Sequence, residues 1–202
     1  AFNACADLPW KVSFQNWGSS IRCKGIHIAQ VHAVSPVREQ VAERVTDESA
    51  LSQTWFNFGM LNLSRDSYHR TYEQRLDTLR RVVCADIFEW DGAAKRNYTV
   101  AWPTEDYSRR FQFEPLDFVN NSDMDKATNS RRLVLLYNDM LGLGPAEASP
   151  GDHVYVLGGL QVPLVLRQVQ EHFIIVGACY VHGIVDGEEG WSIDDVRDID
   201  IW

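Results

Sequence analysis

The stretch VLRQVQEHFIIVGACYVHGIVDGEEGW, Val165 to Trp191, decides the fold. It reads as two apolar strands joined by a polar turn at Gln170-Glu171, then an acidic, glycine-bearing exit. Phe173 to Val176 is apolar on both faces, which predicts a strand covered on both sides. A small antiparallel β-barrel, or a curled sheet with helices packed over it, meets that need. Working backwards, His153 to Leu157 is a strand that turns at Gly158-Gly159 into Val162 to Val169. With Phe173 to Ile184 as the third strand, these make a meander. Before it come a strand at Arg132 to Tyr137, a turn at Asn138-Asp139 and a short return at Met140 to Leu143. Gly142-Leu143-Gly144-Pro145 and Ser149-Pro150-Gly151-Asp152 read as chain breaks.

The N-terminal part adds β segments at Val12 to Phe14 and Ile21 to Val31. At period two, Cys23, Gly25, His27, Ala29 and Val31 share one face of the second. Ser35-Pro36 looks like a helix N-cap with proline at the first helical position. Asp47 is a cap for a helix carrying Leu51, Trp55 and Phe58. The clearest apolar stripe, Tyr68, Tyr72, Leu76, Leu79, Val83 and Ile87, predicts a helix from about Ser67 to Phe88. The expected organisation is one α+β domain over 1–202: β segments in 1–34, a helical insertion in 35–90, long loops in 91–130, a β-meander in 131–190 and a tail in 191–202. Two to four helices pack against the sheet.

Composition narrows the function. At 202 residues, 45% apolar and 23% charged, the chain has the make-up of a globular protein. A net charge of −9 and the lack of a basic stripe argue against nucleic acid and against acidic lipid. No apolar run is long enough to span a membrane, and no signal peptide is visible. Cys5, Cys23, Cys84 and Cys179 are scattered without a CxxC pair, so reduced, buried thiols in a cytoplasmic protein are expected.

Few motifs carry chemistry. Tyr180 and His182 sit two apart on a strand and so share a face. They can donate hydrogen bonds to a substrate carbonyl, or close the sheet rim by bonding to loop backbone. Arg167 interrupts an apolar strand end, to pair with an acidic neighbour or to meet a ligand. Asp186 and Glu188 fit a tight exit loop better than an acid/base pair. Gly142 to Pro145 is too short and proline-locked to cradle a phosphate. No HExxH or GxSxG occurs, and His27 and His32 fall on opposite strand faces, so no metal site is expected. Seven tryptophans lie largely in loops or at element ends. They can line an apolar pocket, plug a barrel or form a partner interface.

From Arg131 onwards the chain resembles the C-terminal module of fungal heterokaryon-incompatibility (HET) proteins. The residues that carry this are Arg131-Arg132, Leu141-Gly142-Leu143-Gly144-Pro145, Pro150-Gly151-Asp152, Val154 to Gly159, Val162 to Arg167 and Val176 to Glu188. Phe2-Asn3-Ala4 and Lys24-Gly25-Ile26 look similar to the start of the same module. The N-terminal HET domain of that family, with its Tyr-Ser-Trp-Gly-like stretch, has no counterpart here. The resemblance allows, for stand-alone relatives, a role in natural-product clusters as cofactor-free cyclases of Diels–Alder type.

Two functions follow as expectations. In the first, the chain is a cyclase without cofactor that folds an apolar polyene or terpenoid-like substrate for cycloaddition, where orientation is worth up to roughly 7–11 kcal/mol. Tyr180, His182 and Arg167 are then the hydrogen-bond donors, and Trp17, Trp55, Tyr155 and Tyr137 line the substrate. In the second, it is a protein-interaction module acting through exposed aromatics and acidic loops, as a homo-oligomer or with another protein.

Overall fold

The computed structural model describes Ala4 and residues 12–15, 19–38, 48–63, 71–85, 87–90, 93–96, 126–184 and 192–202. One strand organises them. β2, Ser20–Val34, follows the short β1, Ser13–Gln15, which pairs with its start. Over fifteen residues β2 serves several neighbours in turn. Residues 21–26 pair antiparallel with the last strand, and 25–30 pair antiparallel with His153–Leu157 on another edge. Residues 31–34 pair with Arg131–Leu136.

The remaining strands, in chain order, are β3 (Ile87–Trp90), β4 (Ala93–Arg96), β5 (Arg131–Leu136), β6 (Leu141–Pro145), β7 (His153–Leu157), β8 (Leu164–Val169), β9 (His172–Ala178), β10 (Tyr180–Val181) and β11 (Val196–Ile201). The pairings β2–β7, β7–β8, β8–β9, β9–β11 and β11–β2 close a ring of five strands. All are antiparallel except β9–β11, which meets at Ile201 and Phe173. β5, β6 and β10 extend the sheet away from the ring. The fold is a largely β, α+β sheet with helices on one side.

Three apolar clusters account for the layers. Every ring strand contributes to the first: Cys23, Tyr155, Leu157, Leu164, Leu166, Ile199 and Ile201 are buried together, with Phe173 and Ala178 at their edge. Side chains fill the inside of the ring. Gly25 shows how tightly, since a Cβ there would lie 2.6 Å from Leu157 Cδ2 and 3.2 Å from Ile199 Cγ1. The second cluster joins the outer face of the ring to β5 and β10 through Ala29, Val31, Val134, Leu136, Val154, Val156 and Val181. The third packs helices α1 (Glu48–Leu63) and α2 (Tyr72–Val83) on the far face of β5 and β6, through Trp55, Leu63, Leu79, Val82, Leu133, Leu141 and Leu143.

The segment Leu141-Gly142-Leu143-Gly144-Pro145 is therefore a strand, not a break. Its leucines face the helices. Its glycines face the ring, where a Cβ on Gly142 would come within 2.4 Å of the Tyr180 carbonyl oxygen. Alternation of large and absent side chains lets two layers meet across one strand.

Other expectations change. The supposed tail, 191–202, contains β11, which lies between β2 and β9 and closes the ring. The supposed third meander strand breaks at Cys179 into β9 and β10, which pair with different partners. Ile174 and Ile175 are 37% and 53% exposed, so β9 is not covered on both sides there. Ser35 does not cap a helix: its Oγ accepts from the Leu133 N–H at 2.9 Å, and Arg38 bridges to Arg131. The long helix starts later and ends sooner than its stripe implies. Thr71 caps it reciprocally with Gln74, and Ile87 belongs to β3, which pairs with β4 inside the stretch read partly as loop. Within β2, the shared face Cys23 to Val31 is interrupted, because the register with β7 shifts between His27 and Ala29. His27 stays opposite Tyr155 on the inner face at the solvent-open end of the ring, while Ala29 turns to the outer cluster.

Candidate functional site

The residues singled out from the sequence fall into separate places. Tyr180 and His182 do meet, Oη to Nδ1 at 3.4 Å. Tyr180 is buried in the helix-side core together with Trp55. The Trp55 indole donates to the Pro36 carbonyl at 2.9 Å, so its polar end is used internally. Beside it, Arg38, Leu51, Ser52 and Trp55 line a cavity of about 10 Å³, the size of one water.

Arg167 lies elsewhere, clamped on Asp152. Nε and Nη2 donate to the two carboxylate oxygens at 2.7 and 2.9 Å, and Nη2 also donates to the Glu147 carbonyl. Asp152 further accepts from the Ser149 N–H at 2.8 Å. The hydrogen bonds to Asp152 hold the guanidinium above its usual value. Tyr137 is exposed and packs at a tilt against His32, ring centroids 4.6 Å apart. Tyr155 lines the ring interior. Trp17 lies outside the described residues, as do the exit loop 185–190 and Cys5. Cys23, Cys84 and Cys179 are buried thiols, and burial pushes Cys179 up to about 12.

A polar cluster the sequence did not flag sits at one end of the ring. The bulge in β2 presents His27, and the first residue of β7 presents His153; their Nε2 and Nδ1 atoms are 3.0 Å apart. Tyr155 and Phe173 wall the pair, with centroids 5.0 Å from His27 and 5.8 Å from His153 respectively. Gln30 donates to the Gly151 carbonyl at 3.0 Å and reaches His153 Nε2 at 3.5 Å. Burial is the main cause that lowers both histidines from their usual value. The nearby His153 lowers His27 further, while Asp152 pulls His153 the other way. Burial also raises the Tyr155 phenol. Bulges recur beside sites where a side chain must be re-aimed, and here one turns His27 onto His153. These residues are 126 apart in sequence, which leaves no local pattern to find.

Among the described residues no three metal-ligating side chains gather. None of the described helices is long and apolar enough to cross a membrane.

Comparison with known proteins bears on part of the chain. Residues 115–195 match the Het-6 beta-barrel domain. Over 62 residues the chain is 39% identical to "Heterokaryon incompatibility protein 6, OR allele" of Neurospora crassa, a match covering 29% of this chain and 9% of that protein. The chain thus spans about a tenth of that relative's length. No solved structure matches significantly. Together these place residues 115–195 with the Het-6 beta-barrel domain of heterokaryon-incompatibility-related proteins, as the resemblance after Arg131 implies.

Proposed function

We propose that the chain is a protein-recognition module of a heterokaryon-incompatibility-type protein, working through its outer surface. The observation that carries this is the filled ring. All five strands place side chains in its interior. Trp55, Tyr180 and Arg167 are spent on internal contacts. Among the described residues, binding is left to the outside, where the β8–β9 hairpin exposes Val169 and Ile174 at 46% and 37%; Ile175 faces the other side of β9, with Phe173. Neighbouring exposed apolar residues of this kind mark interaction surfaces. The test uses the purified chain as bait against a fungal extract, in parallel with Ile174→Glu. A protein held by the first and lost by the second, each at equal thermal stability, supports the reading. Equal recovery by both overturns it.

A cofactor-independent cyclase acting on an apolar polyene is the second reading. Its support is that Tyr180, His182 and Trp55 come to one side of the sheet. It requires the helix layer to part, since the cavity described beside Trp55 has the volume of one water and not of a hydrocarbon. Native mass spectrometry with linear polyenes separates the two: stoichiometric retention lost in Tyr180→Phe favours the cyclase, and clean protein favours the recognition module.

A further inference from the structure

The Gln30 amide at the rim cluster favours one arrangement of the histidine protons. Gln30 Nε2 donates to the Gly151 carbonyl, so the amide turns its nitrogen, not its oxygen, toward His153 Nε2. That ring nitrogen accepts, which leaves the His153 proton on Nδ1. The Nδ1–H then donates to His27 Nε2 at 3.0 Å, and His27 carries its own proton on Nδ1. Along Gln30, His153 and His27 each acceptor has one donor. A further proton has no place between them. On His27 Nε2 it faces the His153 Nδ1–H; on His153 Nε2 it faces the Gln30 amide.

We propose that this chain of bonds is a proton-operated latch on the β2–β7 seam: neutral rings hold the seam at the His27 bulge, and acid releases it. The position suits the role. β2–β7 is one of the pairings that close the ring, and its register already breaks between His27 and Ala29. The described groups facing the latch come from four strands. β2 supplies His27 and Gln30; β7 supplies His153 and Tyr155, and Asp152 directly precedes it. β8 supplies Arg167, which occupies the Asp152 carboxylate. β9 supplies Phe173, which has no charge. Asp152 favours a charged His153, but burial outweighs it, and both rings stay below the ordinary histidine value. The unfolded chain therefore takes up protons first. Stability from the latch is full above about pH 6.5, falls as pH drops below it, and levels off below the depressed folded values.

Two measurements test this. Long-range nitrogen–proton NMR of the histidine rings in the wild-type chain at pH 8 is expected to show the Nδ1–H tautomer for both His27 and His153. Amide hydrogen exchange, corrected for intrinsic rates, is then compared at pH 8 and 5.5 in wild type and in Gln30→Glu, whose carboxylate can accept the added proton. Wild-type β2–β7 amides are expected to lose protection roughly tenfold relative to β5–β6; in Gln30→Glu the loss shrinks to within about twofold. An Nε2–H tautomer on His153, or equal acid-induced loss in both proteins, overturns the proposal. The tautomer decides the matter even if the variant does not fold.

Discussion

Replacing Arg167 with alanine separates a structural role from a ligand-binding one. The carboxylate of Asp152 is 3% exposed and takes three donors, two of them from Arg167 and one from Ser149. The same aspartate holds the start of β7 to β2, because its carbonyl accepts from the Val31 N–H at 2.7 Å. Arg167→Ala leaves a buried charge with a single donor. Breaking a buried pair costs about 3–5 kcal/mol, but the Arg167 side chain is 40% exposed, so water reaches the vacated site and the expected cost drops to about 2–3 kcal/mol. For a chain of this length that is a fall in Tm of about 4–12 °C. Urea unfolding gives the free energy directly, and a cycle with Asp152→Asn isolates the pair. Arg167→Lys, which keeps the charge but loses the fork, is expected to fall between wild type and alanine. A loss below about 0.5 kcal/mol, typical of a surface change, refutes the reasoning and returns Arg167 to the candidate ligand donors.

The layers lead to further expectations. Ile199→Ala removes a ring-interior side chain and is expected to cost about 2–4 kcal/mol by chemical denaturation, where a loose tail would show almost nothing. Gly142→Ala drives a Cβ toward the Tyr180 backbone carbonyl between two paired strands, and thermal melting is expected to register at least about 2 kcal/mol of strain. Gln170 turns the β8–β9 hairpin at φ +56°, a conformation that glycine adopts freely, so Gln170→Gly is expected to stabilise by roughly 0.5–1 kcal/mol in the same melts.

What the sequence disclosed was mostly local. The strands at His153 and Arg132, the turns at Asn138 and Gly158 and the helix around Trp55 all announce themselves within a few residues, by alternation, glycine pairs or an apolar stripe. The Thr71-x-x-Gln74 capping box was equally local and marks the true start of α2, but the apolar stripe running through Tyr68 masked it. Val196-Arg-Asp-Ile-Asp-Ile201 likewise alternates in part, and its short length and acidic lead hid a strand that pairs with residues 170 or more positions earlier. Bulges are harder to foresee. One extra residue after His27 flips the rest of β2 to the other face, and strict period-two reading carries the wrong face onward. The His27–His153 pair depends on that flip and on the ring closing. Tyr180 and His182 come together because they are two positions apart, although His182 lies in the turn after β10 and not on the strand expected.

Interstrand nuclear Overhauser effects around β2 test the closed, filled ring most directly. The account expects contacts from β2 to both neighbours in the same molecule: Cys23 to Ile199, and His27 to Tyr155, with Ile201 to Phe173 completing the circuit. Contacts on the β7 side alone, with residues 196–202 giving random-coil shifts, would contradict it and leave an open sheet whose interior is free to bind a ligand.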